Sequence, residues 1–270
     1  METNDTTIFP SIVFKVKDGY FSVDSKYISG ILKMPEIQKL PEAPYYCTGF
    51  FINRGQVVQT IDMRTLFGLQ SINAEYEEFV SMIDARKQDH INWITELECC
   101  HEEGREFTLA KDHHQCALGK WYDSFKINNN SVMFHLKKLE DPHAHIHKAA
   151  REDEVCAGAA TEEERKEMLD KAMNDTKEKY MPAVLGLLDE CKEVFRASVF
   201  REMVLVLNCE RGIGMVVDEV LSVEDLEAVG EHDGSNSLSR SPYIKGVTRS
   251  KSFNNMILEV DAEKLINLGQ

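Results

Sequence analysis

The chain has 270 residues, a formal net charge of −15 and 29% charged residues. Nucleic-acid phosphates and anionic lipid surfaces both bind basic faces, so this acidic balance argues against either partner. Hydrophobic residues make up 43% of the chain, which allows real cores, and the length suits two domains.

The beginning of the chain and its cysteines indicate a cytoplasmic protein. Met1-Glu2-Thr3-Asn4-Asp5 is polar and acidic, without the basic start and apolar run of a signal peptide. No stretch is apolar over the ~18 residues that a membrane span needs. Seven cysteines are irregularly spaced, and an odd number in such a chain predicts reduced thiols.

The first 70 residues predict strands and turns. Residues 12–16 alternate with the period of a half-buried strand, and Asp18-Gly19 is a hairpin turn pattern. Residues 25–33 are predicted to form a short helix. Two further strands are predicted on either side of the Arg54-Gly55 turn, over 49–53 and 56–63.

Helical spacing replaces alternation from residue 75 to about 197. Thr161-Glu162-Glu163-Glu164 is typical of a capped helix start, and Pro182 should kink or split the helix that follows. Four helical blocks in this region predict a bundle. Strand patterns return after Ser198, over 203–207, 215–217 and 256–260. Strands, then helices, then strands indicate a domain inserted into a surface loop.

Histidines are concentrated in the helical region, where eight of the nine lie between His90 and His147. Zinc prefers about four nitrogen and sulfur ligands in a tetrahedron. His143 and His147 are four residues apart, so both rings project from one helical face. His90 from an earlier helix and Cys116 from a second would complete a closed set of three imidazoles and one thiolate.

Spacing alone leaves alternatives open for these histidines. A lone histidine on an apolar stripe, such as His90, is more often a core residue bonded to a carbonyl. His113 is a conceivable alternative ligand, since it lies three residues before Cys116. His145 should point to another side of its helix, and His135 should lie on a solvated face.

Three segments resemble the motifs of the chemoreceptor zinc-binding (CZB) domain. They are Asp89-His90-Ile91-Asn92-Trp93, His113-His114-Gln115-Cys116-Ala117-Leu118-Gly119-Lys120-Trp121-Tyr122 and Pro142-His143-Ala144-His145-Ile146-His147. The resemblance covers roughly residues 80 to 197. It implies that His90, Cys116, His143 and His147 bind one zinc ion within a four-helix bundle.

The flanking regions resemble the CheW-type coupling domain over about 8–72 and 200–268. The motif is Gly49-Phe50-Phe51-Ile52-Asn53-Arg54-Gly55-Gln56-Val57-Val58-Gln59-Thr60-Ile61-Asp62-Met63-Arg64, where Ile52-Asn53 and Gln59 depart from the family pattern. The resemblance implies two small five-stranded β-barrels that hold a CheA-type histidine kinase next to chemoreceptor cytoplasmic tips. It also implies partner contacts at Arg54 and Ile28, although an exposed turn arginine and an ordinary core isoleucine would give the same pattern.

The predicted organisation is multidomain α and β. A CheW-like domain, first half 8–72 and second half 200–268, is interrupted by a CZB-like helical domain over 76–197. The expected protein is a non-catalytic chemotaxis adaptor in the cytoplasm, recruited to receptor arrays at the membrane.

Three functions compete for the expected zinc site. The first is sensing of zinc or oxidants through Cys116, whose oxidation would weaken it as a ligand. The second is a purely structural zinc domain. A zinc hydrolase is the third, but four protein ligands leave no open position and His143 to His147 lacks the His-Glu-x-x-His glutamate. Carboxylates that could orient the imidazoles are those of Asp89, Asp112, Glu140 and Asp141.

Overall fold

The computed structural model describes residues 9–127, 130–229, 241–250, 252 and 254–268. The chain divides into two compact units. Residues 1–72 and 199–270 form the first, here called the scaffold unit, and residues 73–198 form the second, here called the helical unit. All seven cysteines are free thiols, as predicted.

The described part of the scaffold unit is mostly β-structure. Its strands are β1 (Ser11–Val16), β2 (Gly19–Asp24), β3 (Ile28–Lys33), β4 (Cys47–Asn53), β5 (Gln56–Asp62), β6 (Met203–Leu207), β7 (Ile213–Val217), β8 (Glu219–Glu224), β9 (Glu227–Ala228), β10 (Ile244–Arg249) and β11 (Met256–Val260). Two short helices accompany them, α1 (Met63–Leu66) and α9 (Ala262–Ile266). The strands predicted over 12–16, 49–53, 56–63 and 203–207 are therefore present.

Both sheets combine strands from the two ends of the chain. One has the order β8-β1-β2-β11-β10-β9 and the other the order β3-β6-β7-β5-β4. β11 pairs with β2 and β7 pairs with β5, both in parallel. The first sheet has six strands instead of the predicted five, because the two-residue β9 pairs along the edge of β10.

The short helix predicted over residues 25–33 is wrong. Only Ser25–Tyr27 form a single 3₁₀ turn, capped by the Asp24 carboxylate, and the chain then continues as strand β3. β3 pairs with β6 in antiparallel orientation. The β-branched Ile28 and Ile31 favour a strand, and this non-local pairing satisfies the backbone groups that a helix would have satisfied locally.

An ion pair between the buried Arg64 and the half-buried Asp218 joins the two halves of the scaffold unit. Arg64 on α1 donates from Nε to Asp218 Oδ1 (2.8 Å) and from Nη2 to Asp218 Oδ2 (2.7 Å). The surrounding core also draws on both ends, with Phe14 and Met63 from one and Leu205 and Met215 from the other fully buried. The two halves of the scaffold unit therefore share one core.

The described residues of the helical unit are dominated by α-helices. They are α2 (Ile72–Glu103), α3 (Ala117–Ser124), α4 (Asn130–Leu136), α5 (Glu140–Lys148), α6 (Glu152–Val155), α7 (Glu162–Asp175) and α8 (Met181–Val199). The capping box predicted at Thr161 is present, with Glu164 as its reciprocal partner. The irregularity predicted near Pro182 appears as a π-helical turn over Thr176–Tyr180, between α7 and α8. No described helix is both long and apolar enough to cross a bilayer.

Candidate metal centre

Three separate segments of the helical unit bring the four predicted ligands together. His90 lies in the middle of α2, Cys116 immediately precedes α3, and His143 and His147 project from one face of α5. All four side chains are buried. One donor atom from each lies within 4.8 Å of the others.

The spacing of the donor atoms fits one tetrahedral zinc ion. The Nε2 atoms of His90 and His143 are 3.0 Å apart. Cys116 Sγ lies 3.2 Å from His143 Nε2 and 3.8 Å from His90 Nε2. Zinc bonds of about 2.0–2.3 Å in a tetrahedron place donor atoms roughly 3.3–3.6 Å apart. The three distances lie within about 0.3 Å of this range, so a small adjustment of the side chains would fit the ion.

Hydrogen bonds outside the cluster fix the tautomers of two imidazoles. The Nδ1–H of His90 donates to the carbonyl oxygen of Arg86 (2.9 Å), and that of His147 donates to the carbonyl oxygen of Ala110 (3.0 Å). Both Nε2 atoms therefore carry lone pairs that face the cluster. His147 Nε2 is buried without a hydrogen-bond partner among the described residues. A cation at the centre would satisfy these lone pairs.

The Trp93 side chain explains why a tryptophan three residues after His90 belongs to the motif. Its indole N–H donates to the same Ala110 carbonyl oxygen (3.0 Å) that accepts from His147. Its ring lies 4.6 Å from the His147 ring, centroid to centroid. Trp93 therefore holds the carbonyl that orients His147.

The loop that carries Cys116 lies tightly against the start of α3. Cys116 is the N-cap residue, and its sulfur accepts a hydrogen bond from the backbone N–H of Gly119 (3.2 Å). A Cβ atom at position 119 would lie only 1.9 Å from the carbonyl oxygen of His113. Only glycine permits this approach, which sets the position of the sulfur.

Burial controls the protonation of the cluster. Desolvation, together with the neighbouring imidazoles, lowers the pKa of His143 to about 2 and that of His147 to about 4. Desolvation also lowers the pKa of His90. The same burial raises the pKa of the Cys116 thiol, although two backbone N–H groups oppose this. Without a metal, three neutral imidazoles thus surround a protonated thiol at neutral pH.

Other histidines near the cluster lie outside it. The His113 ring is 5.6 Å from the His143 ring, and its Nε2 lies 3.2 Å from Glu140 Oε1 instead of facing the centre. The His145 ring stacks on Tyr180 on another side of α5. The prediction that His135 lies on a solvated face is wrong, since its side chain is buried. Its Nε2–H is satisfied there by the Leu187 carbonyl oxygen.

Backbone carbonyl oxygens, and not the predicted carboxylates, orient the imidazoles of His90 and His147. Asp89 instead forms an ion pair with Arg86 (3.2 Å), and Glu140 contacts His113. No sequence pattern predicts these contacts, because any residue supplies a carbonyl and only the fold places it.

Arg54, one of the two predicted partner-contact residues, is exposed, whereas Ile28 is not. Arg54 and Gly55 form the two-residue loop between β4 and β5, both with positive φ (49° and 83°). Beside this loop, the cross-strand pair Ile52 and Val57 is 68% and 59% exposed, on edge strand β4 and its neighbour β5. Ile28 is half-buried and packs against the scaffold core.

Family models match two regions of the chain. Residues 10–90 match the CheW-like domain, and residues 90–152 match the chemoreceptor zinc-binding domain, which includes all four clustered residues. These matches confirm both resemblances found in the sequence. The chain thus carries a match to a CheW-like domain followed by a match to a chemoreceptor zinc-binding domain.

Among solved structures, the chain is similar to the scaffolding protein TtCheW from Thermoanaerobacter tengcongensis. The TM-score is 0.41 and the sequence identity 10%, with 97% of this chain and 89% of that chain covered. No curated protein matches the chain.

Proposed function

We propose that this protein couples chemoreceptors to a CheA-type histidine kinase and that a zinc site modulates this coupling without catalysis. The observation that carries the proposal is a buried cluster of three histidines and one cysteine on a chain that also matches the CheW-like domain. In this proposal residues 8–72 and 200–268 are the coupling domain, arranged as two small barrels, and residues 76–197 are an inserted four-helix zinc-binding bundle. The protein acts in the cytoplasm at receptor arrays.

His90, Cys116, His143 and His147 would hold the zinc ion. Bound zinc would supply a fixed positive charge that keeps the Cys116 sulfur deprotonated. The protein contributes the orientation of the imidazoles through Arg86 and Ala110 and the exclusion of water through burial.

A response to zinc or oxidants would pass through Cys116. Its sulfur touches α3 through Gly119 and α5 through His143. A change at this one atom therefore acts on two helices at once. A purely structural zinc site is the competing function, and it is favoured by the complete burial of His147 and the near-complete burial of His90 and His143.

Zinc stoichiometry before and after mild oxidation separates the two functions. Native mass spectrometry of the purified protein should show zinc bound at the cluster, with sharp loss of retention in Cys116→Ala, His90→Ala and His143→Ala. His145→Ala is the control and should retain zinc. Peroxide should release zinc and change kinase binding in the wild type if the site is a sensor. Unchanged zinc and unchanged binding after peroxide would leave only the structural function.

Partner binding is tested at the β4–β5 loop. Arg54→Glu reverses the charge beside the exposed Ile52–Val57 pair, and charges at the rim of an interface alter association more than folding. We expect weaker capture of the histidine kinase or of a chemoreceptor cytoplasmic fragment, with zinc content and melting temperature unchanged.

Lys17→Glu is the matched control for this experiment. Lys17 is also exposed, has a positive φ (55°) and lies in the loop between β1 and β2 of the other sheet. If Arg54→Glu binds the partner as strongly as Lys17→Glu does, Arg54 does not lie in the interface. Failure of the wild type to bind either partner would end the coupling proposal.

A further inference from the structure

A second group of donors lies beside the buried cluster but reaches the surface. His113, His114 and Glu140 each offer one donor atom, and these atoms lie within 4.8 Å of one another. Glu140 Oε1 is 3.2 Å from His113 Nε2 and 3.8 Å from His114 Nε2. Their side chains are 17%, 44% and 45% exposed, in the order His113, His114, Glu140. Solvent therefore reaches this group directly.

Two imidazole nitrogens, one from His113 and one from His114, converge on the same carboxylate oxygen of Glu140. The Nδ1–H of His114 donates to Asp123 Oδ2 (3.0 Å), so Nε2 is the nitrogen of the neutral ring that can bind a metal. This Nε2 lies 3.8 Å from Glu140 Oε1, an oxygen that can bind the same ion. The carboxylate–histidine arrangement is the one that commonly supports metal-bound imidazoles. A divalent cation between these atoms would bind both imidazole nitrogens and the carboxylate oxygen.

The two donor groups are built on the same two segments. His113 and His114 belong to the loop that ends at Cys116, and Glu140 is the first residue of α5, which carries His143 and His147. The His113 carbonyl oxygen lies 3.2 Å from Cys116 Sγ. A metal held by the exposed group would therefore lie next to the buried ligands and tie together the segments that position them.

We propose that His113, His114 and Glu140 form a second, exchangeable divalent-metal site from which zinc passes to the buried site. Two imidazoles and one carboxylate suit zinc and leave a coordination position open, which permits rapid exchange. The transfer step rests on the proposed function of the buried site. The existence of the second site does not.

Zinc titration of metal-free protein tests both statements. Native mass spectrometry should show two zinc ions per wild-type chain, and only one in His114→Ala and Glu140→Gln at the same zinc concentration. Loss of one ligand should weaken the second site by at least about tenfold. Matched controls are His145→Ala, with a histidine 42% exposed, and Asp141→Asn, with the neighbouring exposed carboxylate. Both should still bind two.

The rate of loading tests the transfer. Cobalt serves as a spectroscopic probe, because a thiolate–cobalt absorption band reports only the site that contains Cys116. The band should appear at least about tenfold more slowly in His114→Ala and Glu140→Gln than in the controls, with the same final intensity.

Each outcome has a distinct meaning. One zinc ion per wild-type chain, unaffected by the substitutions, would overturn the second site and leave the buried site intact. Two zinc ions with equal loading rates would overturn the transfer. One zinc ion that stays bound in Cys116→Ala, without the thiolate–cobalt band, would support the second site even if the buried site fails.

Discussion

The protonation state of the four clustered side chains determines what zinc binding releases. The three imidazoles are neutral at pH 7 because burial lowers their pKa, whereas the Cys116 thiol is protonated because burial raises its pKa. Binding at this site at pH 7 should therefore release about one proton per zinc ion. Calorimetry in buffers of different ionisation enthalpy measures this number.

The second zinc site requires a control in this measurement. The experiment is done in His114→Ala, so that the buried site dominates. Cys116→Ser should release about no proton, because a serine hydroxyl keeps its own. Release of two or more protons in the His114→Ala protein would mean that the imidazoles are charged in the metal-free state.

Gly119 should be as important for zinc retention as an outer-shell partner of a ligand. Gly119→Ala places a Cβ atom within 1.9 Å of the His113 carbonyl oxygen, so the loop before Cys116 must move. We expect zinc affinity to fall by at least about tenfold, comparable to the loss of an outer-shell partner. Gly186→Ala in α8 is the control, because nothing lies within 4 Å of its added methyl group. It should bind zinc normally and melt at the same temperature or higher.

The sequence predicted which four residues cluster, but it did not predict the hydrogen bonds that orient their side chains. His90, Cys116, His143 and His147 were identifiable because ligand types at helical spacing recur in known motifs. The roles of Ala110 and Arg86 were not, since they act through backbone carbonyls. The pairing of His114 with Glu140 depends on the packing of a loop against α5, which no spacing rule gives.

Glu202 directly precedes strand β6, and other acidic side chains lie near its carboxylate. Burial, together with the charges of Asp62 and Asp218, raises its pKa to about 7, although Arg64 opposes this rise. The folded scaffold thus binds a proton at Glu202 more readily than the unfolded chain does. The free energy of unfolding should therefore decrease as pH rises from about 4.5 through 7.

Glu202→Gln removes this ionisation while it keeps the shape of the side chain. We expect the variant to gain on the order of 1–2 kcal/mol at pH 8, after allowance for the solvent-exposed part of the side chain, and almost nothing at pH 4.5. Urea unfolding at the two pH values measures the difference. A gain of equal size at both would show that the carboxylate charge is not the cause.

Elements were predictable where their signals are local. Alternation of apolar residues predicts the strand over 12–16, and a capping box predicts the helix start at Thr161. The missing N–H of Pro182 predicts the irregular turn just before it. The error over residues 25–33 has a tertiary origin, since β3 exists through its pairing with β6, about 175 residues later.

For the molecule as a whole, the pairing of strands predicts that the scaffold halves cannot fold apart. Residues 1–72 alone would lack the partners of β2, β3 and β5, namely β11, β6 and β7. Their shared core would also be exposed. We expect this fragment to be insoluble or unfolded by circular dichroism. A cooperative melting transition in the fragment would contradict the shared core.

The complementary deletion should keep the scaffold folded. Replacing residues 76–197 by a short Gly/Ser linker leaves both sheets and the Arg64–Asp218 ion pair intact. We expect a soluble protein with one cooperative transition and no zinc at the buried cluster. The sequence showed the helical region as a change in the spacing of hydrophobic residues. It did not show how the strands divide between two sheets, because this spacing identifies a strand but not the strand that it pairs with.

The parallel pairing of β5 with β7 has a consequence for how the protein is made. A ribosome that has finished β5 must still synthesise residues 73–198 before β6 and β7 exist. At about 5–20 residues per second this delay is roughly 6–25 s. During it β3, β5 and part of β2 present unpaired edges to the cell, while the helical unit can already fold by its mostly local contacts. The nascent chain is therefore expected to depend on chaperones more than the folded protein does.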